Sequence, residues 1–118
     1  QVQNSSNADP LDQKLGLSFC AGDKNIYHEV LKAFVQNNLS SMLNRCFDEQ
    51  DWKGYQIAIH GVKSGAKSIG AMGLSELAKD MEMALKERGD SEYIVEKHPV
   101  ALGEIERVEL KIREIVNI

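Results

Sequence analysis

The chain has 118 residues, of which 42% are hydrophobic, and its formal net charge is -4. This length suits one domain, which can bury roughly two thirds of its unfolded surface. The acidic balance argues against nucleic-acid binding, which requires a basic excess. The sequence shows neither an apolar run near the roughly 20 residues that span a bilayer nor a signal-peptide pattern at its start. We therefore expect a soluble, cytoplasmic domain that inserts into no membrane.

The first part of the chain contains a polar segment, a short helix and a long helix. Residues 1–9 lack periodicity and predict a disordered linker or vector-derived remnant, so that the domain occupies residues 10–118. A short helical segment is expected near residues 11–17. Asp23 suits the N-cap of the first long helix, which we predict over residues 24–47 because apolar side chains recur every three or four positions.

Two more helices follow in the middle of the chain. Asp51 is a suitable N-cap for a helix over residues 52–69, and Gly70 suits the left-handed position that ends it. A third long helix is predicted from residue 72 or 74 to residue 88, with an apolar stripe along one face.

A proline divides the C-terminal part of the sequence. Because the residue before proline resists the α conformation, we predict a short helical turn over residues 92–96 that ends before His98-Pro99. Proline suits the first position of a helix, so the last helix should cover residues 99–116. No segment shows strand-like alternation. The predicted fold is all-α, an antiparallel up-down-up-down four-helix bundle with the short N-terminal helical segment over one end.

His60 is the most informative residue of the second long helix. Its side chain projects more than roughly 90° away from the apolar stripe of that helix, so it should face solvent. The other residues on this face are polar: Lys53, Gln56, Lys63, Ser64 and Lys67. A neutral imidazole beside mobile ammonium groups is suited to accept a phosphoryl group, because the nitrogen attacks and the lysines balance the incoming charge.

The order of residues around His60 is similar to that of a known family. His60-Gly-Val-Lys63-Ser64-Gly65 is followed by Ile69-Gly70-Ala71 and by a Leu-x-x-Leu-Ala helix that reaches Glu82. This pattern, together with the segment before it, resembles the histidine-containing phosphotransfer (HPt) domain over about residues 10–117. Many members have glycine directly after the motif lysine, where this chain has Ser64; the hydroxyl could contact phosphate or narrow the approach slightly.

The resemblance implies a phosphorelay intermediate of bacterial two-component signalling. His60 would accept a phosphoryl group through Nε2 from the aspartate of one receiver domain and pass it to the aspartate of another. Such a chain is a carrier without ATP-dependent kinase activity. The implied partners are response-regulator receiver domains and a hybrid sensor histidine kinase. The receiver would supply Mg²⁺, and the chain itself would need no cofactor or metal.

Residue roles follow from position and from the resemblance. Lys63 lies one helical turn after His60 and can stabilise phosphate charge. Glu82 occupies the position that resembles the family's hydrogen-bonding partner of the second histidine nitrogen, where a carboxylate would fix the tautomer. We expect the partner-binding surface to contain Gln56, Gly61, Ser64, Gly65, Lys67 and Lys79. The two helical glycines would either clear space for a partner or permit tight helix packing.

Other readings of the chain make different predictions. A helical adaptor that binds receiver or kinase domains without phosphorylation would keep the same shape. A metalloenzyme bundle would need inward carboxylates and a Glu-x-x-His pair, which are missing from the sequence. Cys20 and Cys46 have no metal-ligand spacing and should be buried free thiols, and His28 and His98 should be surface residues. We expect a monomer.

Overall fold

The computed structural model describes residues 9–118, which form six helices joined by short loops and contain no β-strand. The predicted all-α class is therefore confirmed for this part of the chain. The prediction for the N-terminal linker falls, except for Asp9, outside the described residues. The helices are α1 (Gln13–Ser18), α2 (Lys24–Gln36), α3 (Leu39–Asp48), α4 (Trp52–Ile69), α5 (Met72–Arg88) and α6 (Ser91–Val116).

The helices pack into a bundle around one apolar core. α4 packs against α5 and α3, while α6 packs against α5 and α2. Among the largest fully buried side chains are Leu31, Leu43, Tyr55, Ile59, Met81 and Ile105. Cys46 is buried as predicted, whereas Cys20 is only partly buried, and both are free thiols. Within residues 9–118, no helix is both long enough and apolar enough to cross a membrane.

The predicted first long helix is interrupted, so the prediction of one helix over residues 24–47 was wrong. Asn38 adopts the left-handed conformation (φ 55°, ψ 48°) and separates α2 from α3. Asparagine tolerates this conformation better than most residues because its short polar side chain can bond locally. Here Asn38 Oδ1 accepts a hydrogen bond from the Ser41 hydroxyl at 3.0 Å. The break turns the chain while Leu39 and Leu43 remain buried.

The C-terminal helix, in contrast, is continuous where the sequence predicted two pieces. α6 begins after Asp90, whose side chain accepts a hydrogen bond from the Tyr93 N–H, and it contains Pro99 in its interior. A proline removes one helical hydrogen bond and leaves the carbonyl four residues earlier, that of Val95, without its usual donor. Because Val95 and Pro99 both lie on the exposed face of α6, water can donate a hydrogen bond to the Val95 carbonyl. The prediction of a helix start at residue 99 was therefore wrong.

His98 is buried, and the prediction that it lies on the surface was wrong. Its ring stacks on Phe47 with centroids 4.0 Å apart. Nδ1 lies 2.8 Å from the Tyr55 hydroxyl and Nε2 lies 2.9 Å from Asn44 Oδ1. Because the amide oxygen can only accept, Nε2–H donates to Asn44 and Nδ1 accepts from Tyr55. This neutral histidine links α3, α4 and α6. His28 is half-buried.

This buried histidine makes the stability of the fold depend on pH. Burial lowers the pKa of His98, and the nearby charge of Asp48 opposes this only in part. Below about pH 6.5, the ordinary histidine value, the unfolded chain binds a proton at His98 that the folded chain does not. We expect the free energy of unfolding to fall as pH decreases from there, by up to about 1.4 kcal/mol per unit from this group. Denaturant titrations between pH 7.5 and 5.5 measure it, and His98→Gln should reduce the slope; equal slopes would contradict the prediction.

The residues before α1 and α1 itself cover the end of α4. Gly70 ends α4 in the left-handed conformation (φ 90°), as predicted. Its carbonyl accepts a hydrogen bond from the Asp12 N–H at 2.8 Å, and the Ile69 carbonyl accepts one from the Tyr27 hydroxyl at 2.8 Å. The N-terminal segment is therefore anchored to the helix that carries His60.

Candidate functional site

His60 lies in the middle of α4 and faces solvent, as the helical periodicity predicted. Its side chain is 56% exposed. The opposite face of α4, which includes Ile59 and Val62, is fully buried and fixes the rotation of the helix. The imidazole is therefore presented to the outside by a rigid helix and does not depend on a loop for its position.

Glu82 from α5 connects His60 to Lys63. Its Oε2 lies 2.8 Å from His60 Nδ1, and its Oε1 lies 2.7 Å from Lys63 Nζ. The Glu82 side chain is only 12% exposed, against 30% for Lys63. Each carboxylate oxygen thus has one cationic or N–H partner, and the close packing of α4 on α5 holds the three groups together.

The ionisation of Glu82 determines the form of the histidine. Burial by itself raises the pKa of this carboxyl, but the hydrogen bonds from Lys63 and His60 outweigh it and lower the pKa below its ordinary value. The carboxylate is therefore charged at neutral pH and can only accept hydrogen bonds. It follows that Nδ1 of His60 carries the hydrogen, so a neutral ring has its free electron pair on the outward nitrogen, Nε2.

A cleft of about 380 Å³ lies beside the histidine, between α4 and the first half of α5. Four basic or nucleophilic residues from the sequence prediction line it together with His60: Lys63, Ser64, Lys67 and Lys79. Ser75 of α5 lines the same cleft. Its hydroxyl donates a hydrogen bond to the Lys63 carbonyl at 3.1 Å and so connects α5 to α4. The cleft can receive an anionic group next to the imidazole.

The remaining predicted partner-binding residues lie outside this cleft. Gln56 is half-buried on α4 before His60. A methyl group at Gly65 would lie 3.4 Å from Phe34 Cδ1, which is ordinary contact with α2. A methyl group at Gly61 would meet nothing within 4 Å. Tight helix packing therefore does not explain Gly61.

Some residues around the histidine were not predicted from the sequence. Ile57, one turn before Gly61, is 67% exposed, the largest exposure of any big hydrophobic side chain in residues 9–118. An apolar residue on an otherwise polar helix face was a signal that the sequence contained. Met72, Ser75 and Glu76 also line the cleft, but no periodicity shows that the start of α5 lies beside Lys67.

In the described part of the chain, no group of three or more His, Cys, Asp or Glu side chains is placed to hold a metal ion. The Glu82 carboxylate is instead paired with His60 and Lys63. The arrangement offers an outward imidazole nitrogen that carries no hydrogen and has cations beside it, and this is the chemistry of a phosphoryl acceptor.

Comparison with known proteins identifies the family. Searches of curated proteins and of solved structures gave no significant match. The family model described as the Hpt domain matches residues 27–114, which include His60, Lys63 and Glu82 and cover most of the chain. The chain therefore belongs to the Hpt domain family.

Proposed function

We propose that this domain is a phosphorelay intermediate in which His60 Nε2 takes a phosphoryl group from a receiver aspartate and gives it to the aspartate of another receiver. Hpt domains as a family are phosphocarriers of histidine phosphotransfer and are not kinases. The observation that carries the proposal is the hydrogen bond from His60 Nδ1 to the Glu82 carboxylate, which leaves Nε2 free and exposed.

In the proposed transfer step, the electron pair of Nε2 attacks the phosphorus as the bond to the aspartate oxygen breaks. The aspartate leaves as a carboxylate, and the ring, now bonded to phosphorus at Nε2 and hydrogen at Nδ1, gains positive charge. The carboxylate of Glu82 offsets that charge. In the reverse direction, a hydrogen on Nδ1 lets the imidazole leave as a neutral group. Glu82 thus acts on the reaction as a positioning residue.

The wider features of the proposal follow from the family and the fold. The receiver would supply Mg²⁺ and most of the catalysis, while this chain supplies the acceptor and adjacent cations without a cofactor of its own. Response-regulator receivers and a hybrid sensor histidine kinase are the proposed partners of a cytoplasmic, bacterial, monomeric domain. The packing of α4 between α3 and α5, with α6 against α5 and α2, supports an up-down-up-down arrangement.

The proposed docking surface surrounds His60 on α4 and α5. Lys67 and Lys79 line the cleft, where their charge favours a partner surface rich in carboxylates. Ile57 lies three residues before His60 on α4 and offers an exposed apolar side chain. A receiver must bring an acidic pocket to Nε2, and this surface combines the matching charge with an apolar anchor.

Ile57→Asp should weaken receiver binding by about tenfold, because an apolar interface anchor commonly contributes more than 1 kcal/mol. Leu110→Asp is the matched control, since Leu110 is 53% exposed but lies on α6, outside the cleft. Titration of a receiver against both variants by calorimetry measures the difference. Equal affinities would remove Ile57 from the docking surface.

Gly61→Ala should stabilise the free domain by about 1 kcal/mol, because alanine is the better helix former. It should also slow transfer roughly fivefold, since an added methyl group at the contact with the receiver should raise the activation free energy by about 1 kcal/mol. Gly103→Ala is the control, because a methyl there also meets nothing within 4 Å and lies on α6. Thermal melts and transfer rates measure both; unchanged transfer in Gly61→Ala would show that clearance is not needed.

The proposal is tested by incubating the chain with a panel of phosphorylated receiver domains and following the label. We expect at least one receiver to transfer its phosphoryl group to the chain within minutes. A second, unphosphorylated receiver should then take the group from the chain. If receivers bind but none transfers, the domain is an adaptor and the proposal is wrong.

A further inference from the structure

Lys63 has a partner already in the unphosphorylated chain. Its ammonium lies 2.7 Å from Glu82 Oε1, at a carboxylate that is largely shielded from water. The same lysine lines the cleft beside His60, where it would have to meet a phosphoryl group. The Lys63 ammonium would thus lie between two anionic groups. The Glu82 carboxylate is always present, whereas the phosphoryl group is present only in the phosphorylated chain.

We infer that the Glu82 carboxylate and the phosphoryl group on His60 compete for the Lys63 ammonium. The charge of Glu82 therefore limits how much Lys63 stabilises phosphohistidine. This inference rests on the proposed function, because it concerns His60 in its phosphorylated form. A charge-assisted hydrogen bond is roughly twice as strong as a neutral one. When the Lys63 ammonium moves to the phosphoryl group, it loses its charge-assisted hydrogen bond with Glu82. This loss offsets much of the free energy gained from the new bond to phosphate.

The geometry assigns Glu82 two opposed effects. Through Oε2 it keeps the hydrogen on Nδ1 and favours the attacking form of the ring. Through Oε1 it withholds a cation from the product. The first effect favours formation of phosphohistidine, and the second favours the later loss of its phosphoryl group. This combination suits a carrier that must pass its phosphoryl group on.

The test uses phosphoramidate, a small donor that needs no receiver. Its P–N bond breaks as the bond from His60 Nε2 to phosphorus forms, and the protonated amino group leaves as ammonia with the electron pair of that bond, to be protonated by the solvent. Four chains are loaded, all in a His28→Gln background to limit side reaction: the parent, Lys63→Met, Glu82→Gln and the double variant. Phosphorus NMR then follows the second ionisation of the phosphoryl group, whose midpoint falls when an ammonium pairs with the dianion.

Lys63→Met should raise this midpoint in both backgrounds, and by about half a pH unit more when Glu82 is already glutamine. Equal or smaller increments with Glu82→Gln would show that Lys63 serves both anions without competition and would overturn the inference. Glutamine has nearly the shape of glutamate, so the variant should retain the local packing.

A second measurement needs no variant at Glu82. In the loaded native chain, the distance from phosphorus to the ¹⁵N-labelled Lys63 ammonium, measured by dipolar NMR, should fall within about 4 Å, while the distance from that ammonium to the Glu82 carboxyl carbon lengthens. An ammonium that comes within about 4 Å of phosphorus while its distance to the Glu82 carboxyl carbon stays unchanged serves both anions at once and contradicts the inference. If the midpoints behave as expected but no receiver transfers to the chain, the proposed function fails and the competition stands. If phosphoramidate leaves His60 unmodified, the attacking form of the ring that the inference assigns to Glu82 is missing and the inference is wrong, whereas transfer from receivers still decides the proposed function.

Discussion

Replacing His60 with glutamine is expected to abolish phosphoryl transfer from every receiver that serves the native chain. Glutamine is similar in size and polarity, but its amide nitrogen has no electron pair available for attack on phosphorus. Because the side chain is 56% exposed, its replacement should leave the core and the helix content unchanged. The expected loss exceeds about a thousandfold, since no other group can take over a missing nucleophile.

His28→Gln is the control for the loss at His60. His28 lies on α2 and has no hydrogen bond from its ring among those found in residues 9–118. Its replacement should leave the transfer rate within about twofold of native, as is usual for a substitution away from the reacting groups. Circular dichroism of both variants establishes that they fold. Transfer that survives in His60→Gln would place the acceptor on a different residue.

Gly70→Ala is expected to give the largest loss of stability of any single methyl addition that we consider. At φ 90°, an L residue is strained. A Cβ here would also overlap the backbone carbonyl oxygen of Asp12, which the hydrogen bond between the Asp12 N–H and the Gly70 carbonyl holds in place. Strain and overlap together should cost about 3 kcal/mol.

Gly89→Ala separates these two contributions. Gly89 ends α5 at φ 59°, yet a methyl group there would meet nothing within 4 Å. Only the conformational strain remains, and the expected cost is about 1 kcal/mol. Denaturant unfolding of both variants measures the difference. Equal losses would show that the overlap with Asp12 is relieved without cost to the fold.

Helical periodicity was sufficient to predict α4 and its orientation. The apolar face of this helix packs on α1, α2, α3 and α5, so the side chains opposite that face, including His60, must face solvent. Its ends were also predictable, because Asp51 and Gly70 act through short-range capping, with the Asp51 carboxylate accepting from the Gly54 N–H at 2.9 Å. Local rules of this kind do not need knowledge of the tertiary structure.

The errors arose where tertiary contacts override local preference. At Asn38 the apolar spacing continues across the helix break, so periodicity alone cannot detect it. At Pro99 local preference predicts a helix start, but the buried series Ile94, His98 and Ala101 holds a single helix together. His98 looked like a surface residue because its partners Tyr55 and Asn44 are more than 40 positions away in sequence.

In the candidate site too, local features were predictable from the sequence, whereas contacts between helices were not. The contact between His60 and Glu82 was expected only from the resemblance to the HPt family, since periodicity does not say which residue of α5 lies opposite α4. The pairing of Lys63 with Glu82 was not predicted, because it depends on side-chain placement across two helices. Ile57 was not predicted although its place on a polar helix face is visible in the sequence, because a single exposed apolar residue is common on protein surfaces.

Whether His60 carries the phosphoryl group is established by locating that group after transfer from a receiver. The native chain is loaded from a phosphorylated receiver, and the phosphorylated residue is identified by mass spectrometry of fragments under alkaline conditions. We predict one phosphoryl group per chain, on His60, that is lost in acid and retained in base. A phosphoryl group on another residue would place the acceptor elsewhere, and a receiver-bound chain that carries none would show that the domain is not a phosphoryl carrier.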